Sequence, residues 1–333
     1  MPTEYTTVSA SGKAVRVPVF HIQARKIVCT GRRLRIARID DEEWTEDRAI
    51  DEPESFISEL RAVSPRPDIF TFAQDFWEAQ PKYPHPFVWE DVAAVPITTY
   101  ADWWAALPQE SRKNVRRAER RGMVVKLVSF DDDLVRGIKG IYDESPIRQG
   151  RRFWHFGKDF ETVKRENSSF LDRCDFVGAY LNGELIGFIK TVYVGKVGRI
   201  MQILPKNAHL SLHAPNALLA KAMEACCQRG MKYFVYGKYI YDNKGDTPIT
   251  EFKRRNGFQR LQFPRYFVPL TVTGRVAMKL GLHRGARNLL PASVARFLSD
   301  ARAWAYRRTL RPAGGAAPKR ADAAAAGAAD GRD

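Results

Sequence analysis

Short apolar stretches separated by turn residues characterise the first hundred residues of the chain. Alternation of apolar and polar positions predicts strands at 15–22, 25–29, 33–39 and 87–97, and a helical period predicts one helix at 54–63. Proline recurs between that helix and the last of these strands, which predicts a long connection. The segment is therefore either a small α+β subdomain or an incomplete copy of the domain that follows.

Clearer periodicity begins near residue 100. The elements predicted in chain order are a helix at 103–121, a strand at 123–128, helices at 131–142 and 159–170, strands at 176–181, 184–194 and 197–204, a helix at 215–229, a strand at 233–236, a helix at 250–255, and strands at 258–263 and 265–270. Asn182-Gly183 predicts a tight hairpin between two of the strands. The helix at 215–229 joins strands that can lie parallel, so we expect an α+β (α/β) fold with a mixed, mostly antiparallel twisted sheet flanked by helices.

Four segments follow from these patterns. They are an N-terminal α+β subdomain at 1–100, the main domain at 101–272, a basic amphipathic helical extension at 273–312, and an Ala/Gly-rich tail at 313–333 that we expect to be disordered. In the extension, a helix at 290–310 would place on one face Leu290, Val294, Phe297, Ala301 and Trp304. That face either docks on the main domain, which is the default, or lies on an anionic membrane.

The excess of basic residues is the feature of the composition that says most about possible partners. The chain has 54 Lys and Arg against 38 Asp and Glu, a formal charge of +16. Hydrophobic residues form 44% of the sequence and aromatic residues 11%, which excludes a wholly disordered chain. The excess charge leaves three kinds of partner open: nucleic acid, an anionic membrane surface, or a phosphorylated substrate.

The cysteines and the N-terminus indicate a cytoplasmic protein. The four cysteines form no C-x-x-C pair, so neither a metal site nor a disulfide framework is expected. The N-terminus is polar, and no stretch is long and apolar enough for a secretory signal or a transmembrane helix. We predict a cytoplasmic location, with peripheral contact at the inner membrane face as the open addition.

The order of these elements, together with the residues of three segments, resembles the GNAT acyltransferase superfamily. The three segments are the hairpin at 181–188, the segment 252–258 that begins Phe-Lys and ends Gly-Phe, and the basic run at 111–122, and the last two are similar to the FemAB-like branch. The resemblance covers about residues 100–272. It implies a GNAT-like fold and direct transfer of an acyl group within a ternary complex. It also implies acyl-CoA, such as acetyl-CoA, as co-substrate, and no metal.

Donor-binding residues are assigned by the resemblance alone. The backbone of Gln202, Ile203 and Leu204 would face the acyl carbonyl, and His213 and Asn216 would lie where a pyrophosphate meets the start of the helix at 215–229. Two features depart from the pattern of the superfamily. The segment 206–214 contains no glycine, and Lys253 stands where a tyrosine acid is usual. Plain packing of the helix at 215–229 is the alternative to a phosphate site.

Two polar clusters supply the remaining candidates. The loop at 143–158 mixes charged and aromatic side chains, and its predicted acceptor-binding residues are Arg148, Arg152, Trp154 and His155. The segment 236–246 follows the end of a strand, and the predicted acid/base residues are Tyr236, Asp242 and Lys253. The alternatives are a loop pinned by its aromatic residues and a turn rich in Asn, Asp and Gly.

Together these features predict an acyltransferase. It would move an acyl or aminoacyl group from acyl-CoA or a similar activated donor to an amine or hydroxyl of an anionic acceptor that contains sugar or phosphate. The acceptor would belong to cell-envelope metabolism. A different class is a catalytically inactive module of the same fold that binds nucleic acid, tRNA among them, or an anionic membrane through 290–310. Nucleic acid is the less favoured partner because recognised RNA-binding signatures are absent from the sequence.

Overall fold

The computed structural model describes residues 4–10, 13–45, 50–148, 151–241 and 247–284. Asp242, the predicted helix at 290–310 and the predicted tail at 313–333 lie outside the described residues. Within the described chain, none of the helices combines the length and apolar character that crossing a bilayer requires.

Fourteen strands are present in the described residues. They are β1 (Glu4–Ala10), β2 (Lys13–Ile22), β3 (Arg25–Thr30), β4 (Ile36–Ile39), β5 (Ile69–Ala73), β6 (Phe87–Pro96), β7 (Val124–Val128), β8 (Ile147–Arg148), β9 (Arg151–Arg152), β10 (Cys174–Leu181), β11 (Glu184–Val194), β12 (Val197–Pro205), β13 (Tyr233–Val235) and β14 (Gln259–Pro269).

Eight α-helices lie among these strands. They are α1 (Pro53–Ala62), α2 (Tyr100–Ala106), α3 (Gln109–Arg120), α4 (Asp132–Tyr142), α5 (Phe160–Asn167), α6 (Ala214–Gln228), α7 (Pro248–Arg255) and α8 (Val272–Lys279). Short 3₁₀ helices are found at Glu42–Trp44, Leu171–Arg173, Asn207–Leu212 and Leu282–Arg284.

The described chain divides into two compact units. The first unit comprises the described residues up to Asp91 and those from Leu261 to Arg284, and the second runs from Val92 to Arg260. The strand β14 therefore belongs almost entirely to the first unit. The predicted domain boundaries at residues 100 and 272 remain predictions.

The first unit is built on strands that pair in the order β1-β2-β3-β4-β5-β14. Helix α1 buries Phe56, Ile57 and Leu60 against this sheet. Ring stacking continues from this helix along β5, since the Phe70 ring centroid lies 5.2 Å from that of Phe56 and 5.4 Å from that of Phe72. Burial of these apolar side chains provides the core of the unit.

The second unit contains strands in the order β6-β13-β12-β11-β10-β7. All neighbouring pairs are antiparallel except β12 and β13, which are parallel and are joined by α6. Helices α2, α3, α6 and α7 pack on one face of these strands, and α4 and α5 on the other. The predicted mixed, mostly antiparallel sheet flanked by helices is thereby confirmed.

Several predicted elements were wrong in detail. The predicted helix at 103–121 is two helices, because Leu107 precedes Pro108 and adopts the extended conformation that proline imposes on its predecessor. The two strands predicted at 258–263 and 265–270 are the single strand β14, and the predicted loop at 143–158 contains the short hairpin of β8 and β9. The fully buried strand β5 was not predicted, since the prolines around it indicated a connection.

Candidate functional site

The carboxyl-terminal half of β12 is open along one edge. Its parallel pairing with β13 ends at Arg199, which lies opposite Val235. The next residues after β13 bond to β6 instead, because the Tyr236 N–H donates to the Ala93 carbonyl over 2.8 Å. On its other edge, β12 carries a bulge at Met201, where the register with β11 shifts. Residues 200–204 thus present backbone groups at a gap in the sheet of the second unit.

A buried chain of hydrogen bonds follows the α4–α5 side of β12. Asn167 Nδ2 donates to Val163 O over 2.9 Å and contacts the Tyr142 hydroxyl at 3.4 Å. The Tyr142 hydroxyl lies 2.8 Å from Gln202 Oε1. Gln202 Nε2 in turn lies 3.4 Å from His155 Nε2. Burial raises the pKa of Tyr142, so its hydroxyl stays protonated and donates.

His155 is fixed by contacts on its other ring nitrogen and on its face. Its Nδ1 lies 3.5 Å from Glu166 Oε2, and its ring stacks on Tyr142 with 4.4 Å between centroids. Lys158 donates to both oxygens of Glu166, at 2.6 and 2.7 Å. Burial acts to raise the pKa of Glu166, but hydrogen bonds from His155 and Lys158 outweigh it, so the pKa is lowered and the carboxylate stays ionised.

Lys190 extends the same network to the interior of β11. It lies directly opposite Gln202 in the sheet and is 1% exposed. Its ammonium donates to the Asn167 carbonyl over 2.8 Å and also to the carbonyl of Ser169. Burial lowers the pKa of Lys190 to about 8. A cationic side chain therefore lies beneath the site without a described carboxylate beside it.

The loop that carries His155 alternates inward and outward side chains. Phe153 and His155 pack against Tyr142, whereas the side chain of Trp154 is 50% exposed and that of Phe156 is 44% exposed. Arg152 is exposed as well. The outward side chains are those available to a ligand, so of the four predicted acceptor-binding residues Arg152 and Trp154 lie at the surface and His155 lies beneath them.

The guanidinium of Arg148 is buried and bonded to neighbouring groups of the protein. It is 8% exposed and donates to the carbonyls of Pro205 and Ile141, each over 2.8 Å. Its Nη2 also lies 3.1 Å from Glu144. The carboxylate of Glu144 accepts from the N–H groups of Asn207 and Ala208, at 2.6 and 2.8 Å. We call Glu144 and Arg148 the clasp, because together they tie the end of α4 to the end of β12.

The segment after β12 differs from a phosphate-binding turn. The N–H groups of Asn207 and Ala208 are bonded to Glu144, and those of His209 and His213 to carbonyls of their own segment. Pro215, in the first turn of α6, has no N–H. These four N–H groups already have partners, so they are not free donors for the pyrophosphate of coenzyme A.

The two predicted side chains near α6 have separate roles. Asn216 is 7% exposed, and its amide donates to Asn256 Oδ1 over 3.0 Å, so it links two buried helix ends. His213 is half-buried, and its pKa is lowered by burial and by the charges of Arg117 and Arg121. Arg121 also donates to the carbonyl of Ser211. The basic face of α3 therefore lies beside the start of α6.

The clasp gives a direct prediction for stability. Replacing Glu144 by Ala leaves two N–H groups without their acceptor and removes the counter-ion of Arg148, so we expect the free energy of unfolding to fall by about 2 kcal/mol. Chemical denaturation monitored by circular dichroism measures the change. Glu161→Ala is the matched control, since Glu161 is an exposed residue of α5 and its loss should cost less than about 0.5 kcal/mol. Equal losses in the two variants would refute the role of the clasp.

The predicted acid/base residues lie on the opposite face of the sheet. Tyr236 and Lys253 are fully buried, and Lys253 Nζ lies 4.7 Å from the centre of the Tyr236 ring and 4.5 Å from that of Tyr241. Lys253 donates to the carbonyl of Lys238. The Tyr236 hydroxyl has no hydrogen-bond partner among the described residues, and burial raises its pKa well above the usual value. Asp242 lies outside the described residues.

The predicted donor-binding residues of β12 direct their side chains to different faces of the sheet. The side chain of Ile203 lies in the apolar layer that contains Tyr236, whereas Leu204 packs in the layer beneath α4. Gln202 is the polar member, directed toward Tyr142.

In the described part of the chain, no group of three or more His, Cys, Asp or Glu side chains is arranged to hold a metal ion.

Four polar residues of the site were not predicted from the sequence. Tyr142 and Glu166 occupy helices whose pattern indicated only packing and solvent exposure. Lys190 carried a signal, because it is a single lysine within the apolar strand β11. Glu144 also carried one, since it is an acidic residue close to Arg148 within the charged loop predicted at 143–158.

Comparison with known proteins shows the fold. No protein-family model and no curated protein sequence matches the chain. The structure of FemX is similar, with a TM-score of 0.52 and 10% identity over 83% of this chain and 90% of that one. L-PGS from Bacillus licheniformis gives a TM-score of 0.50 and 12% identity, covering 80% of this chain and 88% of that one. A conserved protein of unknown function from Bacteroides thetaiotaomicron gives 0.54 and 8%, covering 77% and 86%. These likenesses show the fold of the chain, which is similar to that of FemX and L-PGS.

Proposed function

We propose that the protein transfers an acyl or aminoacyl group from an activated ester or thioester to an amine or hydroxyl of an anionic acceptor. Acyl-CoA is the donor predicted from the sequence, and a sugar- or phosphate-containing precursor of the cell envelope is the acceptor. The observation that carries the proposal is the open edge of β12, flanked by a polar network on one face and by Tyr236 with Lys253 on the other. The GNAT-like fold and the likeness to FemX and L-PGS support it.

The open edge supplies the first requirement of acyl transfer. Negative charge develops on the acyl oxygen as the acceptor attacks, and preorganised N–H groups stabilise that charge. Residues 200–204 border the gap beyond the last β12–β13 pair. Alternate residues of a strand direct their N–H groups to opposite edges, so the N–H groups that face the gap rather than β11 are the donors in this proposal. Direct attack in a ternary complex requires no covalent enzyme intermediate. Burial raises the pKa of Cys226 and of Cys174, which disfavours a thiolate nucleophile.

Tyr236 meets the second requirement, an acid for the leaving group. Its raised pKa keeps the hydroxyl protonated at neutral pH, and Lys253 Nζ lies against its ring. A buried hydroxyl without a partner is unfavourable unless a ligand uses it. In this proposal the Tyr236 hydroxyl donates its proton to the departing oxygen or sulfur.

Arg152, Trp154 and the basic face of α3 provide the acceptor side. An exposed guanidinium can pair with a phosphate or carboxylate, and an exposed indole can stack on a sugar. Arg117 and Arg121 add positive charge near the start of α6. The formal charge of +16 acts in the same sense, since it attracts anionic donors and acceptors.

Replacing Tyr236 by Phe separates a catalytic from a structural role. We expect kcat to fall by about 100-fold, because the general acid is lost. The free energy of unfolding should not fall, since the deleted hydroxyl has no described partner. Tyr193→Phe is the matched control: its hydroxyl donates to Asp175 over 2.7 Å, so that variant should lose stability and keep kcat. An unchanged kcat in Tyr236→Phe would remove Tyr236 from the mechanism.

The proposal itself is tested by product formation with the full chain. Acetyl-CoA, longer acyl-CoA thioesters and aminoacyl-tRNA are offered with amino sugars, nucleotide-linked sugars and anionic phospholipids, and mass spectrometry detects the acylated product. Transfer from one donor supports the proposal. No transfer from any donor, together with binding to anionic vesicles or tRNA, would favour the second candidate, an inactive module of the same fold.

One described feature favours membrane binding as that second candidate. The exposed face of α8 carries Val272 and Val276, which are 65% and 51% exposed, and Leu280, directly after the helix, is 63% exposed. Arg275 and Lys279 belong to the same helix. An apolar stripe with adjacent basic side chains is the pattern of an interfacial helix. The predicted helix at 290–310 would extend this surface, but it lies outside the described residues.

A further inference from the structure

The hydrogen bonds around His155 determine where its proton lies. Asn167 is oriented by its bond to Val163 O, so its amide faces the Tyr142 oxygen as a donor. The Tyr142 hydroxyl must then donate to Gln202 Oε1, which it approaches to 2.8 Å. With Oε1 taken, the group that Gln202 turns toward His155 is its amide nitrogen, again a donor.

This sequence of donors favours one arrangement of the imidazole. Because Gln202 donates toward His155 Nε2, that nitrogen carries the lone pair, and the proton lies on Nδ1. Nδ1 faces the ionised carboxylate of Glu166 at 3.5 Å, which accepts the N–H and stabilises positive charge on the ring. A carboxylate behind the ring and a lone pair in front of it are the features of a general base.

Three of the groups that face His155 from neighbouring elements fit this arrangement. Tyr142 of α4 is protonated, Gln202 of β12 is neutral, and Glu166 of α5 is ionised. Lys158 Nζ lies 3.4 Å from Nδ1 and gives two of its three N–H groups to Glu166, so its third N–H group favours the other tautomer and competes with the donor of Gln202. Glu166 therefore bears one cation already, and protonation of His155 would make a second ion pair with it.

The position of Nε2 matches the requirement of the proposed reaction. Gln202 belongs to the open segment of β12, so Nε2 faces the strand where the acyl carbonyl would lie. The contact of 3.4 Å between the two nitrogens is long for a hydrogen bond, and the N–H or O–H of an acceptor can replace it. The side chain of His155 is 16% exposed, beneath the outward Trp154.

We propose that His155 is the general base of the transfer, positioned by Glu166 on Nδ1 and by the Tyr142–Gln202 pair on Nε2. This inference rests on the proposed function and replaces the predicted role of His155 in acceptor binding. The acceptor nitrogen or oxygen forms its bond to the acyl carbon as its proton passes to Nε2. The bond from that carbon to the leaving oxygen or sulfur breaks, and the leaving group takes a proton from Tyr236. Proton transfer from His155 to solvent and from solvent to Tyr236 restores both groups.

Kinetics of His155→Gln test this role. The amide of glutamine can keep a hydrogen bond to Gln202 but accepts no proton, so we expect kcat to fall by about 1,000-fold with KM for the acceptor nearly unchanged. Added imidazole should restore part of the rate in His155→Ala. A rise in KM with kcat preserved would instead show the binding role, and it would overturn the inference. His21→Gln, at a histidine of β2 whose side chain is 59% exposed, is the matched control and should leave both constants unchanged.

A second measurement does not depend on turnover. Nitrogen NMR of imidazole-labelled protein distinguishes a protonated Nδ1 from a protonated Nε2, and we expect His155 to be protonated on Nδ1 in the neutral ring. Glu166→Gln should weaken that preference. If the wild-type protein transfers no acyl group but shows this tautomer, the proposed function fails while the described geometry stands. A proton on Nε2 would overturn the assignment of the base whatever the activity.

Discussion

Replacing Arg265 by Met will lower the free energy of unfolding by about 3 kcal/mol, because it leaves two partly buried carboxylates without their cation. Arg265 Nη2 lies 2.7 Å from Glu42 Oε2, and Nε lies 2.8 Å from Glu90 Oε2. Burial acts to lower the pKa of Arg265, but the two carboxylates outweigh it and raise the pKa above its usual value. Glu42 also accepts from the Ala73 N–H over 2.9 Å, so its orientation is fixed within the first unit.

The same ion group offers internal controls. Arg265→Lys should lower the free energy of unfolding, but by less than Arg265→Met does. An ammonium keeps the charge, yet it cannot form the two directed contacts of a guanidinium. The triple variant Arg265→Met, Glu42→Gln and Glu90→Gln should recover part of the loss, because no buried charge is then unpaired. Arg136→Ala removes an exposed pair with Asp133 and should change stability by less than about 0.5 kcal/mol. Urea denaturation measures all four variants. A loss in Arg265→Met no larger than in Arg136→Ala would contradict the prediction.

Periodicity was sufficient to predict the sheet and helices of the second unit. The hairpin of β10 and β11, the parallel return through α6 and the helices α4 and α5 all have apolar positions at the spacing that burial requires. These signals depend only on residues near one another in the chain, so a single sequence is enough to detect them. The break at Pro108 was also local, and the proline rule would have revealed it.

Non-local pairing explains what sequence analysis missed. Strand β5 is buried because β4 and β14 flank it, and β14 lies far along the chain. The polar network has the same origin, since His155 meets Gln202 and Glu166 only after α5 and β12 have packed. Tyr236 and Lys253 were predicted individually from residue type and position, whereas the orphaned hydroxyl that makes Tyr236 a candidate acid is visible only in the structure.

Raising the pH from 7 to 10 should stabilise the wild-type protein relative to Lys190→Met by about 2 kcal/mol. Burial lowers the pKa of Lys190 to about 8 in the folded state, below the usual value of 10.5 that applies to the unfolded chain. Between these two values the unfolded chain binds more protons than the folded one, so stability rises with pH in that window. Below pH 8 both states are charged and the full cost of burying the ammonium is present. Thermal and urea unfolding of the two proteins at each pH measure the difference.

Comparison with Lys190→Met is needed because other groups titrate in the same range. Lys113→Met is the matched control, because Lys113 is an exposed residue of α3 and the same substitution there removes a lysine without removing a buried ammonium. The opposite slope, with the wild type losing stability relative to Lys190→Met as the pH rises, would show that the carbonyls of Asn167 and Ser169 hold the ammonium more strongly than burial opposes it. Because Lys190 lies opposite Gln202 on the neighbouring strand, its neutral form would also reduce the positive charge beside the His155 network at alkaline pH. A parallel change in kcat of the wild type that is absent from Lys190→Met would connect this buried lysine to the chemistry of the site.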